Sequence, residues 1–146
     1  MSDGSLDPQT EALLDQLDEG VSPPSWTLSV ETGRQLLEDL FGGAPGAEVD
    51  ETTDLEIQGP NGPIPLRIYT PTSGDPPYRV LVYFHGGGWV RGSVEAYDPV
   101  VRQLANASES LVVAPDYRRA PEHPFPEPFE DCYRAAEWAA EHAETL

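Results

Sequence analysis

From Arg79 to Trp89 the chain reads Arg-Val-Leu-Val-Tyr-Phe-His-Gly-Gly-Gly-Trp, an apolar run that passes without a linker into three consecutive glycines. The continuous apolar stretch from Val80 to Phe84 is of the kind found in strands buried on both faces. Lacking Cβ atoms, Gly86, Gly87 and Gly88 can adopt backbone angles closed to other residues and let a ligand come close to the main chain. Exposed N–H groups in such a loop suit an anion, either a phosphate or a transient oxyanion.

The surrounding sequence alternates between helical and strand periodicity. Asp7-Pro8 reads as an N-cap followed by proline at the first helical position, and Leu13, Leu14 and Leu17 then recur at helical spacing, which predicts a helix from about Pro8 to Glu19. Pro23 and Pro24 break it. Ser29 can cap a second helix whose apolar edge is Leu36, Leu37, Leu40 and Phe41, stopped by Gly42-Gly43. From Thr52 the period becomes two: Leu55 and Ile57, the hairpin signal Asn61-Gly62, then Ile64, Leu66, Ile68 and Tyr69. Residues 71–77 are turn-rich. A helix is expected over 97–107, a second buried strand over 111–114, and a last helix over 129–143 carrying Cys132, Ala135, Ala136, Trp138, Ala139 and Ala140. Strand, glycine loop, helix and strand make a βαβ unit, hence a parallel pair with a right-handed crossover. The expected fold class is α/β, with an antiparallel hairpin preceding a mostly parallel sheet.

At 146 residues the chain has room for one domain with a true core. Its 26 acidic residues face only 8 basic ones, all arginine, for a formal charge of −18. Nucleic acid is excluded as a partner on that balance, since binding it requires basic groups that displace counterions. Carboxylates spread along the chain, with no lysine, resemble the composition of proteins from salt-loving microorganisms. Self-repulsion among them should destabilise the fold at low ionic strength and be screened by salt. Cys132 is the single cysteine, so no intrachain disulfide can form. The first residues have neither a basic n-region nor an apolar h-region, and no apolar run approaches the length of a membrane span, so a cytoplasmic protein is expected. No metal or cofactor is called for.

Two phosphate-binding readings compete for the glycines. Gly86, Gly88 and Gly92 fit a loose dinucleotide-binding spacing, with Asp116 ending the next strand, but His85 and bulky Trp89 crowd the place a pyrophosphate would need. A hairpin ahead of the first parallel strand is also unusual for such a half-domain. A P-loop is excluded because no lysine follows the glycines. The oxyanion reading fits better: in α/β-hydrolases of the esterase and lipase type, a His-Gly-Gly-Gly motif after the third strand supplies backbone N–H donors.

His85-Gly-Gly-Gly-Trp89, followed by Asp116-Tyr-Arg-Arg-Ala-Pro-Glu-His-Pro-Phe-Pro126 and Glu130-Asp131, resembles the hormone-sensitive-lipase-like (α/β-hydrolase fold-3) esterases in order and spacing. The early Leu6-Asp-Pro-Gln9 and the paired N-terminal helices are similar to that family's cap region. The resemblance implies a carboxylic-ester hydrolase with Gly87 and Gly88 as oxyanion donors. Gly86 and His85 would shape the loop, and Trp89 would pack or line the substrate pocket. It also implies cap helices within residues 1–45 roofing an acyl pocket, the hydrolase domain from residue 50 onward, and a stabilising turn over 116–126. Arg119 stands where the family commonly has leucine. His85 and His123 read as hydrogen-bonded scaffold histidines and not as bases.

The rest of the chemistry is absent from these residues. Hydrolysis by this route needs a serine on a Gly-x-Ser-x-Gly elbow, then an acid and a histidine later in the chain. None of the nine serines lies in such a motif; Ser93 has Arg91 and Glu95 where the elbow wants glycine. In the family the nucleophile strand follows shortly after the helix that ends near Leu146. The expectation is therefore the N-terminal half of an esterase, inactive alone, with the strand from Val80 to Phe84 left as an open edge prone to self-association. The alternatives are a non-catalytic module binding small anions or acyl ligands, or a decayed gene product.

Overall fold

In a computed structural model, residues 6–19, 27–43 and 45–146 are described. The expected break at Pro23 and Pro24 lies outside the described residues. Two helices come first, α1 (Pro8–Glu19) and α2 (Val30–Phe41), each begun by the capping residue that the sequence names. The Asp7 carboxylate accepts from the Gln9 N–H at 2.9 Å, and the Ser29 hydroxyl from the Thr32 N–H at 3.1 Å. Both bonds satisfy donors that the first helical turn leaves unpaired.

The sheet has four strands: β1 (Glu51–Gly59), β2 (Gly62–Thr70), β3 (Arg79–Val82) and β4 (Ser110–Pro115). Their spatial order is β1-β2-β4-β3, antiparallel except for the β3–β4 pair. The hairpin tip falls one residue before the expected position. Gly59 pairs with Gly62, leaving Pro60 and Asn61 at the tip. Pro60 supplies the φ that suits the first central position of a turn, and Gly62, at φ +119°, becomes the first residue of β2.

Helices α3 (Val94–Ser108) and α4 (Glu127–His142) cover the two faces of the sheet. α3 begins three residues earlier than the pattern predicts because Ser93, with its hydroxyl 3.0 Å from the Ala96 N–H, is its N-cap. α4 begins two residues earlier, with proline in its first turn. Along β4 the side chains alternate as the pleat requires. Leu111 and Val113 join Ile57, Ile64, Leu66 and Ile68 against α4, whereas Val112 and Ala114 join Tyr69 against Val101 and Ala105 of α3. Every residue of β4 is buried, and Val112 and Val113 are at 0% exposure. Burying such a side chain contributes about 1.5–3 kcal/mol. β3 stands at the edge of the described sheet, as expected of this run, and so falls short of the two-faced burial that its apolar character suggests: its three aliphatic residues are only half-buried and Phe84 is 41% exposed.

Candidate functional site

The main chain leaves β3 and turns through residues 85–92 before α3 begins. His85 is buried, at 5% exposure, between two tyrosine rings. Tyr117 stacks on it at 4.2 Å between centroids, and Tyr97 flanks it at 5.8 Å. Burial holds the imidazole below its ordinary pKa and so keeps it neutral. Its Nδ1 lies 2.9 Å from the Gly86 carbonyl oxygen, which accepts from the Nδ1–H tautomer. The Tyr117 hydroxyl donates to the His85 carbonyl at 2.6 Å. His85 is thus buried, stacked and hydrogen-bonded within the fold.

These bonds dictate how the glycines present their amides. Within one planar trans peptide, C=O and N–H point in opposite directions. The Gly86 carbonyl is held by His85, so the Gly87 N–H of the same plane is turned away from that ring. The Gly87 carbonyl accepts from the Arg91 N–H at 3.0 Å and the Val90 N–H at 3.3 Å, so the Gly88 N–H is turned away from that tight turn. Among the described residues, nothing accepts from the amides of Gly87 or Gly88. A Cβ on Gly87, at φ +136°, would collide with the Arg91 carbonyl; one on Gly88 would meet nothing within 4 Å. The glycine run is thus packed on one side and open on the other.

The outgoing limb is tied down just as closely. The Trp89 carbonyl accepts from the Ala120 N–H at 2.9 Å and the Val90 carbonyl from Arg34 Nε at 2.8 Å, while Arg119 donates to the Gly92 carbonyl. Arg119, a departure from the family pattern, therefore has a structural task. Trp89 adopts φ +64°, is 49% exposed, and tilts over Tyr117 at 5.5 Å. With Phe125 and Phe129 it lines an apolar cavity of about 300 Å³ that reaches Gly88. A second cavity, of about 280 Å³, separates Gly87 and Gly88 from Leu28 and Val30 at the start of α2.

Ser93, Asp116 and His123 are each engaged with a partner outside that set. Ser93 caps α3, Asp116 accepts from the Val94 N–H at 3.2 Å, and His123 pairs with Glu127 at 2.9 Å. Among the described residues no three His, Cys, Asp or Glu side chains converge as metal ligands. The loop over 116–126 is anchored by Arg118, which donates to the buried Asp131 carboxylate at 2.5 Å and to the Asn61 carbonyl at 2.9 Å. Sequence reasoning missed Arg34, Tyr97, Tyr117 and the Arg118–Asp131 pair. Tyr97 lies in the first turns of α3, and Tyr117 and Arg118 come just after β4, but nothing local marks what they touch.

An antiparallel hairpin leading into a parallel pair of strands, helices on both faces and a glycine loop after the third strand are the features of the α/β-hydrolase fold. Residues 81–146 match the family described as alpha/beta hydrolase fold, and the relatives similar to the chain over a longer stretch are named esterases. It is 45% identical over 115 residues to the esterase LipI of Mycobacterium tuberculosis, an alignment covering 77% of this chain and 36% of LipI. It is 40% identical over 114 residues to an arylesterase of Saccharolobus solfataricus, covering 77% and 37% of the two chains. Among solved structures, the hyperthermophilic esterase from Pyrobaculum calidifontis superposes with a TM-score of 0.79 at 39% identity, over 97% of this chain and 45% of that one. An ester hydrolase from the metagenome of Lake Arreo gives a TM-score of 0.85 at 37% identity, over 97% and 47%. The chain spans less than half the length of these relatives. No helix among the described residues is long and apolar enough to cross a membrane.

Proposed function

We propose that this chain carries the oxyanion-binding part of a carboxylic-ester hydrolase, with nucleophile, acid and base supplied by residues outside it. The observation that carries this reading is the pair of successive peptides whose carbonyls are tied to the scaffold, which leaves the Gly87 and Gly88 amides unspent on the open side of the loop. When a serine oxygen attacks an ester carbonyl, the carbonyl π electrons move onto oxygen. A preorganised N–H about 3 Å from that oxygen stabilises the tetrahedral intermediate by roughly 3 kcal/mol per donor. Gly86 and His85 shape the loop, Trp89 borders the acyl or alcohol group, and the helices within residues 1–45 act as the cap. The names of the relatives support the ester as substrate class.

The outer edge of β3 is the site at which the remainder of the sheet, or a second copy of this chain, would pair. A cytoplasmic setting belongs to the same proposal, supported by a single cysteine that is a buried thiol. Co-expression with a segment bearing a Gly-x-Ser-x-Gly elbow and its partner acid and histidine should produce p-nitrophenyl ester turnover. Gly87→Ala should abolish it. Covalent labelling of this chain alone by a fluorophosphonate would place a reactive serine within it and refute the proposal.

A further inference from the structure

Arg34, on α2, reaches across the molecule to both walls of the glycine loop. Its Nε donates to the Val90 carbonyl at 2.8 Å and its Nη2 to the Ala120 carbonyl at 3.0 Å, and Ala120 itself donates to Trp89. The other edge of the guanidinium takes Glu122 in a two-point pair at 2.8 and 2.6 Å. That pairing holds the Glu122 carboxyl down to about 2. One planar cation thus ties α2 to two loops, a fork geometry that lysine cannot reproduce. The preceding residue, Gly33, is the buried residue of α2, and a Cβ there would press on the Arg91 side chain at 3.2 Å. Adjacent positions on one helix therefore hold two adjacent positions of the loop.

We propose that Arg34 is a positioning residue that fixes the outgoing limb of the glycine loop and makes the placement of the Gly87 and Gly88 amides depend on α2 being docked. Its catalytic meaning rests on the oxyanion reading above; the mechanical coupling does not. Val90 and Arg91 donate to the Gly87 carbonyl and Ala120 to the Trp89 carbonyl, so their amide protons report directly on the limb's order.

The test is hydrogen exchange on the full chain, comparing Arg34→Ala, Arg34→Lys and Glu122→Gln. Arg34→Ala should speed exchange at Val90, Arg91 and Ala120 about tenfold while leaving Ile68 and Val113 in the sheet unchanged. Guanidinium ion added to Arg34→Ala should restore protection, whereas tetramethylammonium at equal ionic strength should not. Glu122→Gln keeps both carbonyl bonds and should leave the three reporters protected. If Arg34→Ala does not fold, Arg34→Lys carries the same comparison, since it retains charge for Glu122 but loses the fork. Unchanged protection in the Arg34 variants, or an equal loss in Glu122→Gln, would overturn the proposal by reducing Arg34 to an ion-pair partner. In a complemented, active enzyme, Arg34→Ala should lower kcat more than it raises KM. Failure to obtain any turnover would count against the oxyanion reading and leave the exchange result intact.

Discussion

β3 and β4 lie side by side as a parallel pair, Val80 beside Leu111, Leu81 beside Val112, Val82 beside Val113. Their side chains divide between the same two packed faces, yet β4 is buried throughout and β3 only half-buried. The difference comes from neighbours. β4 has β2 on its other side, and among the described residues β3 has no strand there. An aliphatic run shows that a strand is to be buried, but its place in the sheet decides how far.

The sharpest way to break this comparison is to put the same carboxylate on both strands. Val113→Asp would bury an unpaired charge at 0% exposure and should cost more than about 4 kcal/mol, enough to remove the cooperative urea transition of a domain this size. Val82→Asp, half-buried at the edge, should cost about 1–2 kcal/mol and keep the transition. Equal losses would mean that the edge of β3 is covered in solution.

The same contrast should hold for charged pairs. Asp131 is 1% exposed and paired with Arg118, so Asp131→Ala should cost about 3–5 kcal/mol by leaving the guanidinium partly buried without its carboxylate. Asp54, 66% exposed beside Arg67, should matter little, with Asp54→Ala costing less than about 1 kcal/mol. Chemical denaturation of the two variants checks this.

His85 sharpens the comparison along the chain, because it follows an edge strand and is nevertheless buried. Its folded pKa is depressed below the ordinary value of 6.5, so between the two values the unfolded state binds more protons. Its contribution to stability is complete above pH 6.5 and is lost as pH falls through 6.5 toward the folded pKa. A melting temperature that fell over that interval in the parent and stayed flatter in His85→Gln would agree. Parallel slopes would assign the acid sensitivity to other groups. The smallest effect per residue concerns the exposed shell, where salt should raise the melting temperature by screening a net charge of −18. No rise between dilute buffer and molar salt would count against the salt-adapted reading.

Legibility in the sequence followed the range of the interaction. Asp7 and Ser29 were readable as caps because the amides they satisfy lie two or three residues away. The glycine loop was readable because three glycines after an apolar run have few other uses. The hairpin tip moved by one residue because Pro60 competes with Asn61-Gly62 for the turn, a local contest that periodicity does not decide. Arg34 could not be read at all: its partner Glu122 is 88 residues distant, and on α2 it looks like any exposed cation of an amphipathic helix.

By itself the amino-acid order determined the elements, their caps, the acidic surface and the motifs on which the family resemblance rests, since all of these depend on residue type and near neighbours. Only the tertiary structure decided how deeply each strand is buried, which way each glycine amide is turned, and which helix braces the loop that carries them. Those are relations between segments far apart in sequence. They are set by where carbonyls find donors and where side chains find room once the sheet and its two layers of helices have closed on one another.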